Sequence, residues 1–184
     1  MRNLCEAILA GIISGIISSI MIYWVLFRIK PIVVISERIS MDRISGTYRI
    51  KIVNRTKVNL MDVKYTLHYC HRYQDGIINM DPVVFCKPNV EFISPYSDYD
   101  ENSEYAIRLE FAFKKEMLAT KDDYLLFTLC AKHEKTGTVS FFSKEFRAED
   151  ILCGKFETGN STKILVEQCG TSPIFCEQQC LTTK

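Results

Sequence analysis

Histidine and cysteine side chains, which are common zinc ligands, lie together in the segment HYCH at residues 68–71. The neighbouring residues alternate between apolar and polar types, and this alternation predicts a strand. Successive strand residues point to opposite faces, so His68 and Cys70 share one face while His71 points to the other. The three side chains cannot easily converge on one ion, and we predict no metal site.

Two other groups of potential ligands lack the spacing of known metal motifs. Cys169, Cys176 and Cys180 are separated by six and then three residues, unlike the close cysteine pairs of zinc modules. The loop at 94–104 is rich in carboxylates but does not follow the calcium-loop pattern; its acidic residues are Asp98, Asp100, Glu101 and Glu104. We expect free thiols in the first group and a solvated loop in the second.

Catalytic motifs are absent from the sequence. The chain has three histidines, and it contains no Gly-x-Ser-x-Gly elbow, no glycine-rich phosphate loop and no His-Glu-x-x-His helix. No nucleophile and base can be paired from the sequence. We therefore predict a protein that is not an enzyme, with no catalytic residue, no metal and no cofactor.

A stripe of small residues recurs at every fourth position near the N-terminus. Ala7, Gly11, Gly15 and Ser19 would share one face of a helix, where glycine lets a second backbone approach closely. Membrane helices are also richer in glycine and serine in general, which is the simpler explanation. We favour close helix packing over this general enrichment, and we predict a homo-oligomer that forms through this helix.

The same segment has the length and composition of a membrane span. Between Leu4 and Phe27 the single ionisable side chain is Glu6, and a helix of this length measures about 36 Å, against roughly 30 Å for the hydrocarbon core. A secretory signal is the rival interpretation, but the apolar run is too long and no cleavage site follows. We predict one transmembrane helix with its basic flank at residues 1–30.

Basic residues on the two sides of this segment predict its orientation. Arg28, Lys30 and Arg38 on the C-terminal side outnumber Arg2 on the other, so the positive-inside rule places the rest of the chain in the cytoplasm. The same three residues are candidates for contact with lipid headgroups. An ordinary positive-inside flank explains them equally.

Charge and cysteine content restrict the partners and the compartment. The net charge is +1, and no nucleic-acid-binding signature is present, so we expect no nucleic acid as partner. Eight cysteines are present, Cys5 in the apolar segment and seven beyond it, and an odd number suits a reducing compartment. Two glycosylation sequons, at Asn54 and Asn160, argue instead for the lumen or the exterior, but such three-residue patterns often arise by chance.

The chain after Pro31 has the period-two alternation of half-buried strands, clearest at 46–54, 61–70 and 104–113. Further strands fit at 32–39, 83–93, 123–133 and 138–146, and glycine turns fall between several of them. Short strands without a long helix predict an all-β fold, as an antiparallel sandwich or a small barrel. We assign residues 31–157 to this domain and 158–184 to an irregular, cysteine-containing tail.

Two segments resemble the cytoplasmic domain of inward-rectifier potassium channels. Residues 132–157 follow the order of features at the end of that domain: Thr136-Gly137, Phe146, Glu149-Asp150, Ile151-Leu152 and Gly154-Lys155-Phe156. Residues 48–69 are similar to its early strand pair, and the whole resemblance covers roughly 5–160. It implies an immunoglobulin-like β-sandwich on the cytoplasmic side. The chain lacks the pore helix and selectivity filter, so the resemblance does not imply potassium conduction by this chain alone.

These observations favour a non-enzymatic, single-pass membrane protein whose β-sandwich binds a protein partner or a small-molecule ligand and whose helix assembles copies. One alternative is a signal-gated membrane effector, in which ligand binding drives multimerisation and membrane permeabilisation, as in bacterial antiviral defence. Another is an accessory subunit of an ion channel. In every case membrane lipid is an expected contact of the N-terminal segment.

Overall fold

The computed structural model describes residues 2–86, 90–97 and 104–166. These residues form one long α-helix, eleven β-strands and two short 3-10 helices at 115–117 and 148–150. The helix is α1 (Arg2–Arg28), and the strands are β1 (Val33–Ile35), β2 (Ile39–Met41), β3 (Tyr48–Asn54), β4 (Leu60–Arg72), β5 (Ile78–Val83), β6 (Val90–Ile93), β7 (Ala106–Phe111), β8 (Asp123–His133), β9 (Val139–Phe146), β10 (Ile151–Phe156) and β11 (Ile164–Val166).

The strands form two sheets. Sheet A has the order β1-β3-β2-β10-β11, with β7 paired to β3, and sheet B has the order β5-β4-β8-β9, with β6 paired to β4. All pairs are antiparallel except β2 with β10. The longest ladder joins β4 to β8, and it holds the strands that end at the candidate site.

The core lies between the two sheets and follows the predicted alternation. Ile50 and Ile52 of β3 are fully buried, as are Leu67 of β4 and Phe127 of β8. Burial of each such side chain contributes roughly 1.5–3 kcal/mol. The prediction of an all-β sandwich is therefore confirmed.

Several details of the strands differ from the predicted ones. The segment predicted as one strand at 83–93 contains the end of β5 and, after a break, β6. By contrast β8 has the predicted bounds, and the turn before β9 uses Gly137 at a φ of 68°. A residue with this backbone conformation is usually glycine, which explains the turn signal at this position.

The prediction of a single-pass membrane protein with a cytoplasmic C-terminal domain is wrong. Within the part of the chain that the structure describes, no helix combines the length and the apolar character needed to cross a bilayer. A span needs about 20 predominantly apolar residues in succession.

Candidate functional site

The candidate site lies where three neighbouring strands of sheet B end together. His71, one residue before the end of β4, is opposite Asp123, the first residue of β8. The last residue of β9, Phe146, is opposite Leu125 of β8, so β9 ends at the same edge. The chain segments beside these strand ends supply charged residues: Arg72, Lys121, Asp122 and Arg147.

Asp123 is the buried centre of this end of the sheet, with 4% of its surface exposed. One carboxylate oxygen accepts hydrogen bonds from the Tyr69 hydroxyl at 2.7 Å and from His71 Nδ1 at 2.6 Å. The other accepts from the Thr120 backbone N–H at 2.8 Å and from its hydroxyl at 2.7 Å. A carboxylate has about four lone-pair positions, so this group is fully satisfied by the protein itself.

These hydrogen bonds keep Asp123 ionised. Burial alone would raise the pKa of the carboxyl, but the bonds donated by His71, Thr120 and Tyr69 outweigh it and hold that pKa well below its usual range. Burial, together with the bond to Asp123, raises the pKa of the Tyr69 hydroxyl to about 12. The cluster therefore has one fixed negative charge at neutral pH.

The contact with Asp123 fixes the orientation of the His71 ring. Because an ionised carboxylate only accepts hydrogen bonds, Nδ1 must carry the hydrogen of the 2.6 Å bond. In the neutral ring Nε2 then keeps its lone pair and can accept a hydrogen bond or a proton. The ring also packs edge-on against Tyr73, with centroids 4.6 Å apart. An acceptor held in this way suits the recognition of a ligand hydroxyl or amine.

Two adjoining depressions open beside this cluster. The first, which we call the histidine cleft, has a volume of about 500 Å³ and is lined by His71, Arg72, Tyr73, Gln74, Asp75 and Asp122. The second, which we call the basic depression, has a volume of about 90 Å³ and is lined by Arg72, Lys121, Asp122, Tyr124, Glu145 and Arg147. Arg72 and Asp122 belong to both, so the two depressions form one continuous surface.

The cations of the basic depression have no ionic partner within the described residues. The ion pairs found there involve other groups, and none includes Arg72, Lys121 or Arg147. The two carboxylates of the depression, Asp122 and Glu145, are also outside these pairs. Three positive and two negative side chains thus face one small space with their charges uncompensated by direct contact.

The predicted packing stripe lies on α1, as expected from its spacing. Ala7, Gly11, Gly15 and Ser19 are all exposed, and the Ser19 hydroxyl donates a hydrogen bond of 2.8 Å to the Gly15 carbonyl. A Cβ atom added at Gly11 or Gly15 would meet no atom within 4 Å. Nothing among the described residues of the chain therefore occupies the space beside these glycines.

The other predicted residues are spread over the molecule. Lys30 and Arg38 are exposed, while the side chain of Arg28 lies outside the described residues. His71 reaches the same carboxylate as Tyr69, its neighbour two positions earlier. Most of the acidic loop and all three tail cysteines, Cys169, Cys176 and Cys180, lie outside the residues that the structure describes.

Sequence reasoning singled out His71 but missed its partners. Asp123 lies 52 residues later in the chain, and the register of two strands decides whether they meet. The available signal was an aspartate at the first position of a predicted apolar strand, where an unpaired carboxylate would be costly. Lys121 and Arg147 flank strand ends and look like ordinary solvated charges in the sequence.

The fold and this site define the molecule as a β-sandwich with a charged cleft at one end and an apolar N-terminal helix. Among known proteins, no family model matches the chain and the curated proteins give no significant match. The resemblance to the inward-rectifier domain consequently stays a prediction from the sequence.

Proposed function

We propose that the protein is a non-enzymatic assembly and binding protein, in which α1 associates copies of the chain and the β-sandwich binds a partner or ligand. The observation that carries this proposal is the exposure of α1. Its large apolar side chains from Ile8 to Val25 expose between 42% and 70% of their surface. These residues are Ile8, Ile12, Ile13, Ile16, Ile17, Ile20, Met21, Ile22, Tyr23, Trp24 and Val25.

A helix that is apolar all round is normally buried in proteins. The exposed side chains of α1 lie on every side of the helix, because they occupy consecutive as well as spaced positions. Removal of each large side chain from water contributes roughly 1.5–3 kcal/mol, which favours contact with another apolar surface. A second copy of α1 offers such an apolar surface wherever two molecules of the protein meet.

The glycine stripe favours a particular face for this contact. Gly11 and Gly15 have open space beside them, and two helices packed through such positions approach more closely than through isoleucines. Close approach increases the number of van der Waals contacts along both helices. A symmetric pair uses the same face on both copies, so one stripe serves both partners.

The sandwich contributes the binding function in this proposal. We assign it to the immunoglobulin-like type, on the support of two facing, mostly antiparallel sheets and of the resemblance at residues 48–69 and 132–157. The charged cleft at the end of sheet B supports ligand binding, because it combines an oriented His71 with charged side chains around an open space. The effector and accessory-subunit alternatives stay predictions from the sequence.

The assembly part is tested by placing bulk on the glycine face. Gly11→Leu with Gly15→Leu fits the isolated chain, since each new side chain meets open space. Overpacking at a contact costs about 1–3 kcal/mol, so we expect the dissociation constant of the oligomer to rise about fivefold or more. Sedimentation velocity of the full chain over a range of concentrations measures it.

The matched control adds bulk to the opposite face of α1, as Ile13→Phe with Ile17→Phe. These residues lie about 200° around the helix from Gly11 and Gly15. We expect the control to assemble nearly as wild type. Equal effects of the two double variants, or no effect of either, would reject the glycine face as the contact.

A further inference from the structure

We propose that the basic depression binds the phosphate group of a small phosphate monoester, whose organic part lies in the histidine cleft. This site is on the sandwich, so the proposal rests on the ligand-binding part of the proposed function and not on assembly through α1. The proposal uses the position, size and charge of groups that converge at the end of sheet B.

The three cations come from three separate segments that the sheet brings together. Arg72 ends β4, Lys121 precedes β8, and Arg147 follows β9. Backbone hydrogen bonds anchor both arginines: the Arg72 N–H donates to the Asp122 carbonyl at 3.1 Å, and the Arg147 N–H donates to an Asp150 carboxylate oxygen at 2.8 Å. Guanidinium groups match the geometry of phosphate oxygens, and the backbones that carry these two are held at the end of one sheet.

The volume of the basic depression limits what it can hold. About 90 Å³ corresponds to roughly three water molecules, which is enough for a compact oxyanion and too small for a whole metabolite. The adjoining histidine cleft, at about 500 Å³, has space for the rest of a small ligand. The shared residue Arg72 lies at the boundary of the two.

Within the basic depression charge favours an anion, although its own Asp122 and Glu145, Asp75 of the adjoining histidine cleft and the buried Asp123 oppose it. Arg72, Lys121 and Arg147 exceed Asp122 and Glu145 by one charge, and none of the five forms an ion pair within the described part of the chain. Cations without ionic partners are available for a phosphate, and each gains charge-assisted hydrogen bonds when it binds. Removal of a carboxylate from the depression strengthens the site in this arrangement.

His71 gives the histidine cleft its selectivity. Its Nδ1 is held by Asp123, which leaves Nε2 for a ligand hydroxyl, as an acceptor in the neutral ring and as a donor in the charged ring. Asp123 itself is buried and fully bonded, so it positions the ring and does not meet the ligand. A monoester with hydroxyl groups close to its phosphate uses both depressions, whereas inorganic phosphate uses the basic one.

Isothermal titration of the full chain with glycerol 3-phosphate and with inorganic phosphate, at constant ionic strength, tests the site. We expect Arg147→Ala to weaken both ligands about tenfold or more, because a charge-assisted contact is lost. Lys135→Ala removes an exposed cation at the opposite end of the β8–β9 hairpin and changes either affinity less than about twofold. Glu145→Gln strengthens both ligands.

A second variant separates the two depressions. His71→Asn keeps a hydrogen-bond donor near Asp123 but removes Nε2, so glycerol 3-phosphate weakens while inorganic phosphate is unchanged. Equal effects of Arg147→Ala and Lys135→Ala, or absence of heat with both ligands at millimolar concentration, would overturn the phosphate site. Unaltered glycerol 3-phosphate binding by His71→Asn would overturn the role of the histidine cleft. Thermal melting of each variant checks that it is folded.

Discussion

Within the described residues, sheet A contains a buried lysine, Lys51, and sheet B a buried aspartate, Asp123, and the two are satisfied in different ways. Lys51 of sheet A is 1% exposed, and its ammonium donates hydrogen bonds to the carbonyls of Glu157 at 2.6 Å and Ser161 at 2.7 Å. Asp123 of sheet B is 4% exposed and accepts four hydrogen bonds, three of them from side chains. Both charged groups have hydrogen-bond partners, which lower the cost of their burial.

Lys51 and Asp123 differ in the kind of group that holds each of them. The carbonyls that hold Lys51 belong to the chain between β10 and β11, so this lysine fastens a hairpin to the outer side of β3. The partners of Asp123 include His71, whose side chain is 31% exposed and lines the histidine cleft. A buried charge bonded to backbone stabilises the fold, whereas one bonded to an exposed side chain also positions that side chain for binding.

Replacement of Asp123 gives the largest effect that we expect. Asp123→Ala leaves the Tyr69 and Thr120 hydroxyls, the Thr120 N–H and His71 without their acceptor. Loss of one side of a buried charged network costs about 3–5 kcal/mol. Urea unfolding should give this decrease in the free energy of unfolding, and the exposed neighbour supplies the control, since Asp122→Ala costs about 0.5 kcal/mol or less. Similar losses of unfolding free energy for both variants would show that the hydrogen bonds of Asp123 do not stabilise the fold as a network.

Replacement of Lys51 tests the other half of the comparison. Lys51→Met removes both hydrogen bonds to the hairpin carbonyls but also removes a charge that is costly to bury. We expect a net loss of about 1–3 kcal/mol, with Lys155→Met on the exposed side of β10 as the control. Glycerol 3-phosphate should bind as in wild type. A change in its affinity would contradict the separation between the structural and the binding charge.

The environments of Lys51 and Asp123 also indicate which parts of the fold could be predicted from the sequence. Alternation at 46–54 correctly identified β3 and its inward residues Ile50 and Ile52, because one buried face is a local property of a strand. The same alternation places Lys51 on the outer face, where solvent is expected. Its burial comes from the β10–β11 hairpin, more than 100 residues away in the chain, which local patterning does not encode.

The candidate site was partly predictable for the same reason. His71 was noted as part of the HYCH segment, where no metal site was predicted, and its contact with Asp123 depends on the register of β4 and β8. The cations at the strand ends can be recognised as one group once the sheet brings them together. In α1 the spacing of Gly11 and Gly15 correctly placed both on one helix face, since helical periodicity is local. The suitability of that helix for a bilayer was the wrong prediction.

The smallest effect concerns the pH dependence of the Lys51 contribution. Burial, and next the positive charge of Arg108 opposite it on β7, lower the pKa of the Lys51 ammonium to about 8, against a small opposing effect of Glu157. The usual value is about 10.4, so between about pH 8 and pH 10.4 the folded chain binds fewer protons here than the unfolded chain. Stability from this group therefore rises with pH across that window.

Because Tyr48, Tyr65 and Tyr69 have raised pKa values and change stability in the opposite direction at alkaline pH, the total stability of wild type does not isolate the lysine. The difference in unfolding free energy between wild type and Lys51→Met does isolate it, since both proteins contain the tyrosines. We expect this difference to shift in favour of wild type by on the order of 1 kcal/mol from pH 8 to pH 10.4, after allowance for solvent screening near the hairpin. A constant difference would mean that Lys51 is as well solvated in the folded chain as in the unfolded one, and the contrast with Asp123 would then rest on hydrogen bonding alone.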